Sequence, residues 1–138
     1  MNKNIFNRMK VSINKAYYTA TRYDVDATFA YLYHEKELSI EELGKFVRIS
    51  DQFMPIDKNH YFIHFAFTSH NDAFKASQNL IYHLDKHFND ASSSIAIDTF
   101  DTSKTSTIVY NRLVQILNEI KQNPYSRIED EEVLNGIV

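Results

Sequence analysis

The sequence has no cysteine and no tryptophan, and only two glycines and two prolines among 138 residues. Without cysteine there is no disulfide framework and no thiolate metal site, which suits a reducing compartment. The two glycines, Gly44 and Gly136, lie far apart, which excludes a glycine-rich phosphate loop. With so little glycine and proline, the turns must be short or built from Asn, Asp and Ser. No apolar run approaches the roughly 18 residues of a membrane span. The polar start MNKNIFNRMK also lacks the apolar centre of a secretion signal. The expected location is the cytoplasm, away from membranes. A surplus of one charge is missing too: the formal net charge is −3 and the 15 Lys and Arg are scattered. A nucleic-acid polymer needs several aligned phosphate contacts, so such a partner is not expected, although a single nucleotide stays open.

What remains is ordinary globular composition, 43% hydrophobic and 24% charged, over a length suited to one domain. Positions 1–138 are therefore read as a single domain. Ile5, Met9, Ile13, Ala16, Tyr17 and Ala20 recur at helical spacing and predict an amphipathic helix to about Arg22. Val25 to Tyr33, rich in aromatic residues, reads as a strand. Ser39 and Glu42 form a capping box opening a short helix with Ile40, Leu43, Phe46 and Val47 on one face. Gln52–Ile56 and His60–Phe67 flank the polar turn Asp57-Lys58-Asn59 and predict a β-hairpin. The second arm is apolar on both sides, which predicts a central strand covered on both faces. A helix capped within 69–72 follows, then a strand over 92–99. A last helix is capped within 101–106 and carries Val109, Leu113, Ile116, Leu117 and Ile120. Asn123-Pro124 ends it. Tyr125–Ile128 reads as a short edge strand, and the acidic positions 129–138 as a flexible, solvated tail.

The order strand-helix-strand-strand-helix-strand is the ferredoxin-like arrangement, an antiparallel-rich α+β sheet with right-handed crossovers. With the extra helix at each end, about five strands are expected. This pattern resembles the GGDEF domain, the nucleotide-cyclase palm of diguanylate cyclases, from about Asn7 to Ile128. Arg48-Ile49-Ser50-Asp51 stands where the family carries its RxxD motif, five residues before the signature turn. Ser94-Ile95-Ala96-Ile97 is similar to the family's strand after its third helix. Leu117 to Ile128 is similar to its closing stretch, with Lys121 and Arg127-Ile128 at matching places.

The departures bear on activity. The signature turn reads Asp57-Lys58-Asn59-His60-Tyr61, without either glycine and with Asn59-His60 in place of the acidic pair. The first-strand metal aspartate would fall near Tyr31 to Tyr33, where there is no carboxylate, and the segment carrying the guanine-reading residues is absent. Phosphoryl transfer needs acidic ligands for Mg²⁺. The expectation is a degenerate, non-catalytic regulatory domain in cyclic di-GMP signalling, with no catalytic residues, no metal and no cofactor. The resemblance also implies a nucleotide-binding role, a cyclic di-GMP receptor in which Arg48 and Asp51 read guanine. A guanidinium fork meets guanine O6 and N7, and a carboxylate accepts from its N–H groups. The plainer reading of the same pair is a local ion pair of about 0.2–0.5 kcal/mol. Lys58, Tyr61 and Lys75 are candidate companions. The alternative is a protein-interaction or dimerisation module without nucleotide.

Other groups are weaker. His83 and His87 have the i,i+4 spacing that can hold a metal, but no third ligand accompanies them, and two surface histidines are expected. His60 and His64 share a strand face and are expected to be partly buried, with acid–base work in a small-molecule enzyme as the lesser possibility. Tyr17, Tyr18, Tyr23, Tyr31 and Tyr33 suit either core packing or an aromatic contact surface on the first helix, a candidate homodimer face. The chain begins almost at that helix, so no attached sensor domain is expected.

Overall fold

The computed structural model describes residues 3–99, 101, 103–123 and 126–135. The elements are α1 (Lys3–Tyr23), β1 (Ala27–Tyr33), α2 (Ile40–Phe46), β2 (Gln52–Pro55), β3 (His60–Ala66), α3 (His70–Phe88), β4 (Ser94–Thr99), α4 (Ser106–Gln122), β5 (Ile128–Glu129) and α5 (Glu132–Asn135). The strands form one sheet in the order β2-β3-β1-β4-β5. Every pairing among the first four is antiparallel, and β4–β5 is parallel. That is the expected ferredoxin-like order, with β1 and β3 in the middle.

Alternation along the strands divides the core in two, because successive side chains point to opposite faces. Phe29, Tyr31 and Phe62 meet Met9 and Ile13 of α1 and Leu113, Ile116 and Leu117 of α4. Ala30, Leu32, Ile63 and Phe65 meet Leu43 of α2 and Leu80 and Leu84 of α3. β3 is thus covered on both faces, as its doubly apolar pattern predicts.

The scarcity of glycine is visible in the turns. Asp24, Phe67 and Asn89 take left-handed φ values of 50°, 54° and 52°, and no described glycine has positive φ. Asn89 is the C-cap of α3, a place where glycine is usual and asparagine is next best. Phe67 has no such chemical excuse and is 65% exposed.

Three expectations are corrected. Ile40 does not share the buried face of α2: as the first residue of the helix it is 65% exposed, and Leu43 is the residue that packs inward. The edge strand is shorter and later than Tyr125–Ile128: it is Ile128–Glu129, and Pro124 and Tyr125 lie outside the described residues. The acidic stretch is not simply a solvated tail. Glu129 pairs in β5, Asp130 hydrogen-bonds His70, and Thr99 donates to Glu131. Burial, with neighbouring Asp130 adding to it, raises the Glu129 pKa. Positions 136–138 lie outside the described residues.

Candidate functional site

The corner after α2 holds the RxxD pair. Val47 ends the helix in extended conformation, and the chain turns with the Asp51 N–H donating to the Arg48 carbonyl at 2.9 Å. This folds the two side chains onto each other. Arg48 Nε donates to Asp51 Oδ2 at 3.0 Å and Nη2 to Oδ1 at 2.8 Å, while the Arg48 backbone N–H reaches Oδ2 at 3.1 Å. Nη2 also donates to Thr68 Oγ1, a partner that no local spacing announces because it arrives from the end of β3. The Asp51 side chain is 1% exposed and that of Arg48 49%. Both carboxylate oxygens are therefore occupied and sealed, while the outer face of the guanidinium is open. Hydrogen bonding to Asp51 raises the Arg48 pKa further.

Beside the pair is a cavity of about 200 Å³ lined by Lys45, Asn79 and His83 as well as Arg48 and Asp51. Of the expected companions, Tyr61 is buried with its hydroxyl accepting from Leu38 N–H at 2.6 Å, so it cannot reach this corner's ligand space. Lys58 and Lys75 are exposed and do not line the cavity. Lys45, Asn79 and His83 come from two different helices, and only folding identifies them.

The turn between β2 and β3 lies at the opposite end of those strands. Asp57 closes it by accepting the Asn59 N–H at 2.8 Å and bonding His60 Nδ1 at 2.8 Å. The Asn59 side chain donates to the carbonyls of His34 and Glu35, tying the turn to the end of β1. His60 stacks on Tyr31 at 5.4 Å and leans on Tyr33 at 5.4 Å, and Tyr110 meets Tyr31 edge-on. Lys121 Nζ stands 4.2 Å from the Tyr33 ring centroid. Burial, with Tyr110 and Asp57 adding to it, drives the Tyr31 pKa far above the usual phenol range. The rim next to the turn is therefore an aromatic stack.

The remaining sequence candidates separate. His64 is buried, with Phe62 between it and His60 on one strand face, so the two imidazoles do not converge. Burial lowers the His64 pKa, against the opposing pull of Asp51. His83 and His87 both pack on the ring of Phe46, and His87 Nε2 bonds Glu42 at 3.1 Å. That arrangement does not gather them on one point. Tyr31 is core, Tyr17 packs on Phe29, and Tyr18 and Tyr23 are over half exposed. Desolvation, followed by Asp98 and Asp101, pushes the Tyr17 pKa up to about 12. Arg127 clamps Asp85 through two bonds of 2.7 and 2.8 Å and donates to the Ser93 carbonyl, so its role is to seat β5.

No protein-family model matches the sequence, and no curated protein matches it. Solved structures do match. The GGDEF domain of DgcB from Caulobacter crescentus, in complex with cyclic di-GMP, superposes with a TM-score of 0.70 at 9% identity, covering 88% of this chain and 86% of that one. The diguanylate cyclase SiaD of Pseudomonas aeruginosa, in complex with its activator SiaC, gives 0.73 at 9% identity, covering 90% of this chain and 57% of that one. A microbial GGDEF domain in a novel interaction mode with cyclic di-GMP gives 0.68 at 11% identity, with coverages of 87% and 86%. The chain has the GGDEF, nucleotide-cyclase palm fold. No described helix is long and apolar enough to cross a membrane.

Proposed function

We propose that this chain is a non-catalytic regulatory domain of GGDEF fold, acting in the cytoplasm through what it binds. The observation that carries the reading is the aromatic rim of Tyr31, Tyr33 and His60. Phosphoryl transfer requires carboxylates that hold Mg²⁺ against phosphates. At this rim the nearest described carboxylate, Asp57, is engaged by Asn59 and His60. Incubated with GTP and Mg²⁺ or Mn²⁺, the purified protein should form no cyclic di-GMP above a protein-free blank. Product that scales with protein concentration overturns the reading.

Such a domain regulates through a protein or a small ligand. Contact with a protein partner or a second copy is favoured by the closed Arg48–Asp51 pair, whose carboxylate is sealed from solvent. The second reading, a cyclic di-GMP receptor, is favoured by the open face of Arg48 beside a cavity lined with Lys45, Asn79 and His83. Guanine carries acceptors for the guanidinium and donors for the carboxylate, so it can replace the internal pair bond for bond once Asp51 turns outward. Two solved domains of this fold are complexes with that ligand, which makes it the one to titrate. Calorimetry decides between the readings. Absence of heat with folded protein supports protein contact, and heat that vanishes in Arg48→Ala supports the receptor.

A further inference from the structure

A second group of polar side chains lies away from both the RxxD corner and the hairpin turn. It joins the start of α3, the end of β4 and the segment after β5. His70 is the first residue of α3, immediately after the N-cap Ser69. Its Nε2 lies 2.7 Å from Asp130 Oδ2, and its Nδ1 lies 2.6 Å from Thr99 Oγ1. Thr99 Oγ1 in turn donates to Glu131 Oε1 at 3.2 Å. One ligand atom from each of His70, Asp130 and Glu131 lies within 4.8 Å of the other two. Glu131 Oε2 is sealed from solvent and has no hydrogen-bond partner among the described residues.

A count of hydrogens shows what the cluster lacks. A neutral imidazole has one N–H and a threonine one O–H. Whichever way the threonine hydrogen points, the supply falls short: on Glu131 Oε1 it leaves the Nε2 lone pair of a neutral ring facing an Asp130 oxygen at 2.7 Å, and on His70 Nδ1 it leaves Glu131 Oε1 without that donor. In both arrangements Glu131 Oε2 stays bare among the described residues. A divalent cation serves Nε2, Asp130 and Glu131 at once.

We propose that His70, Asp130 and Glu131 form a binding site for a divalent transition-metal ion of the zinc type. The ligands are His70 Nε2, an Asp130 oxygen and Glu131 Oε2, with water completing a four-coordinate shell. Thr99 is the positioning residue. It fixes the His70 tautomer through Nδ1 and orients Glu131 through Oε1, the outer-shell arrangement that metal-ligating histidines need. Tetrahedral ligands at zinc distances are about 3.3 Å apart, so the His70–Asp130 contact of 2.7 Å opens slightly when the ion enters. His70 and Asp130 side chains keep 28% and 13% exposure, which leaves a path for the ion. The ion would pin the chain after β5, a strand of only two residues, to the two elements beside it.

The test is titration of the whole chain with zinc ions, read by calorimetry and by thermal melting, with magnesium as comparison. One zinc should bind and raise the melting temperature, while magnesium, which prefers oxygen ligands and keeps its water, should not. Glu131→Gln keeps shape and hydrogen bonding to Thr99, so it should fold and bind zinc at least about tenfold more weakly. Thr99→Val should weaken it by roughly 10–100-fold, and His83→Ala should leave it unchanged. Zinc should also slow proteolysis between β5 and α5. The site is refuted if folded wild type takes up no zinc, or if binding survives both Glu131→Gln and His70→Ala. Loss of binding in His83→Ala would place the ion at His83 instead and equally sink the proposal.

Discussion

His64 and Arg48 show how far a side chain's chemistry depends on what folding puts around it. Both belong to motifs visible along the chain, yet their partners, Asp51 and Thr68, are set by a corner and a strand end. His64 is buried and its pKa is lowered, chiefly by desolvation. The unfolded chain then binds a proton that the folded one refuses between the folded pKa and about 6.5. That contribution to stability is complete above the unfolded value and is lost as pH falls through this window. Urea unfolding of the wild type should therefore show stability dropping as pH falls below about 6.5. His64→Gln, which cannot titrate, should flatten that slope whatever its effect on absolute stability. An equal slope in both proteins would assign the effect to other groups.

At the scale of elements, local rules account for most of what forms. Ser39 accepts from Glu42 N–H at 3.0 Å and the Glu42 carboxylate accepts from Ser39 N–H at 3.0 Å, the reciprocal box expected from the spacing. The N-caps Ser69 and Thr105 repeat the serine or threonine half of the device. α2 is only seven residues long, below the length at which a helix stands unaided, so its cap matters more than usual. Ser39→Ala should cost about 1 kcal/mol, measured by chemical denaturation. A loss near zero would mean that burial of Leu43 alone holds the helix. β5 is the element the residues least define. Its two residues pair with β4 while the preceding Arg127 clamps Asp85 of α3 and donates to the Ser93 carbonyl. An arginine–aspartate contact 42 positions apart leaves no mark on local pattern.

Across the whole molecule, one sheet separates two apolar layers, and both layers depend on it. Leu113 of α4 and Leu84 of α3 are fully buried on opposite faces. Leu113→Ala and Leu84→Ala should each cost about 2–5 kcal/mol. Each should shift a single cooperative unfolding transition, because β1 and β3 contribute to both layers. Two resolved transitions in either variant would show that the faces unfold separately. Buried charge follows the same logic: Asp98 lies fully buried in β4, and Lys104 and Arg112 each reach it at 3.0 Å to offset the cost of burying it.

The sequence alone determined α1 to α4, the hairpin, the doubly covered third strand and hence the palm-like order, because periodicity, caps and turn residues act over a few positions; α5 falls in the stretch read as a tail. It also determined that the hairpin turn has neither glycine nor an acidic pair. Tertiary structure alone decided that the Asp51 carboxylate is buried and Arg48 is also held by Thr68, that Tyr31, Tyr33 and His60 stack into one rim, and that His70 meets Asp130 and Glu131. Those contacts join residues as many as 60 positions apart. Burial, charge pairing and hydrogen supply at such places depend on how elements pack, which no short-range pattern encodes.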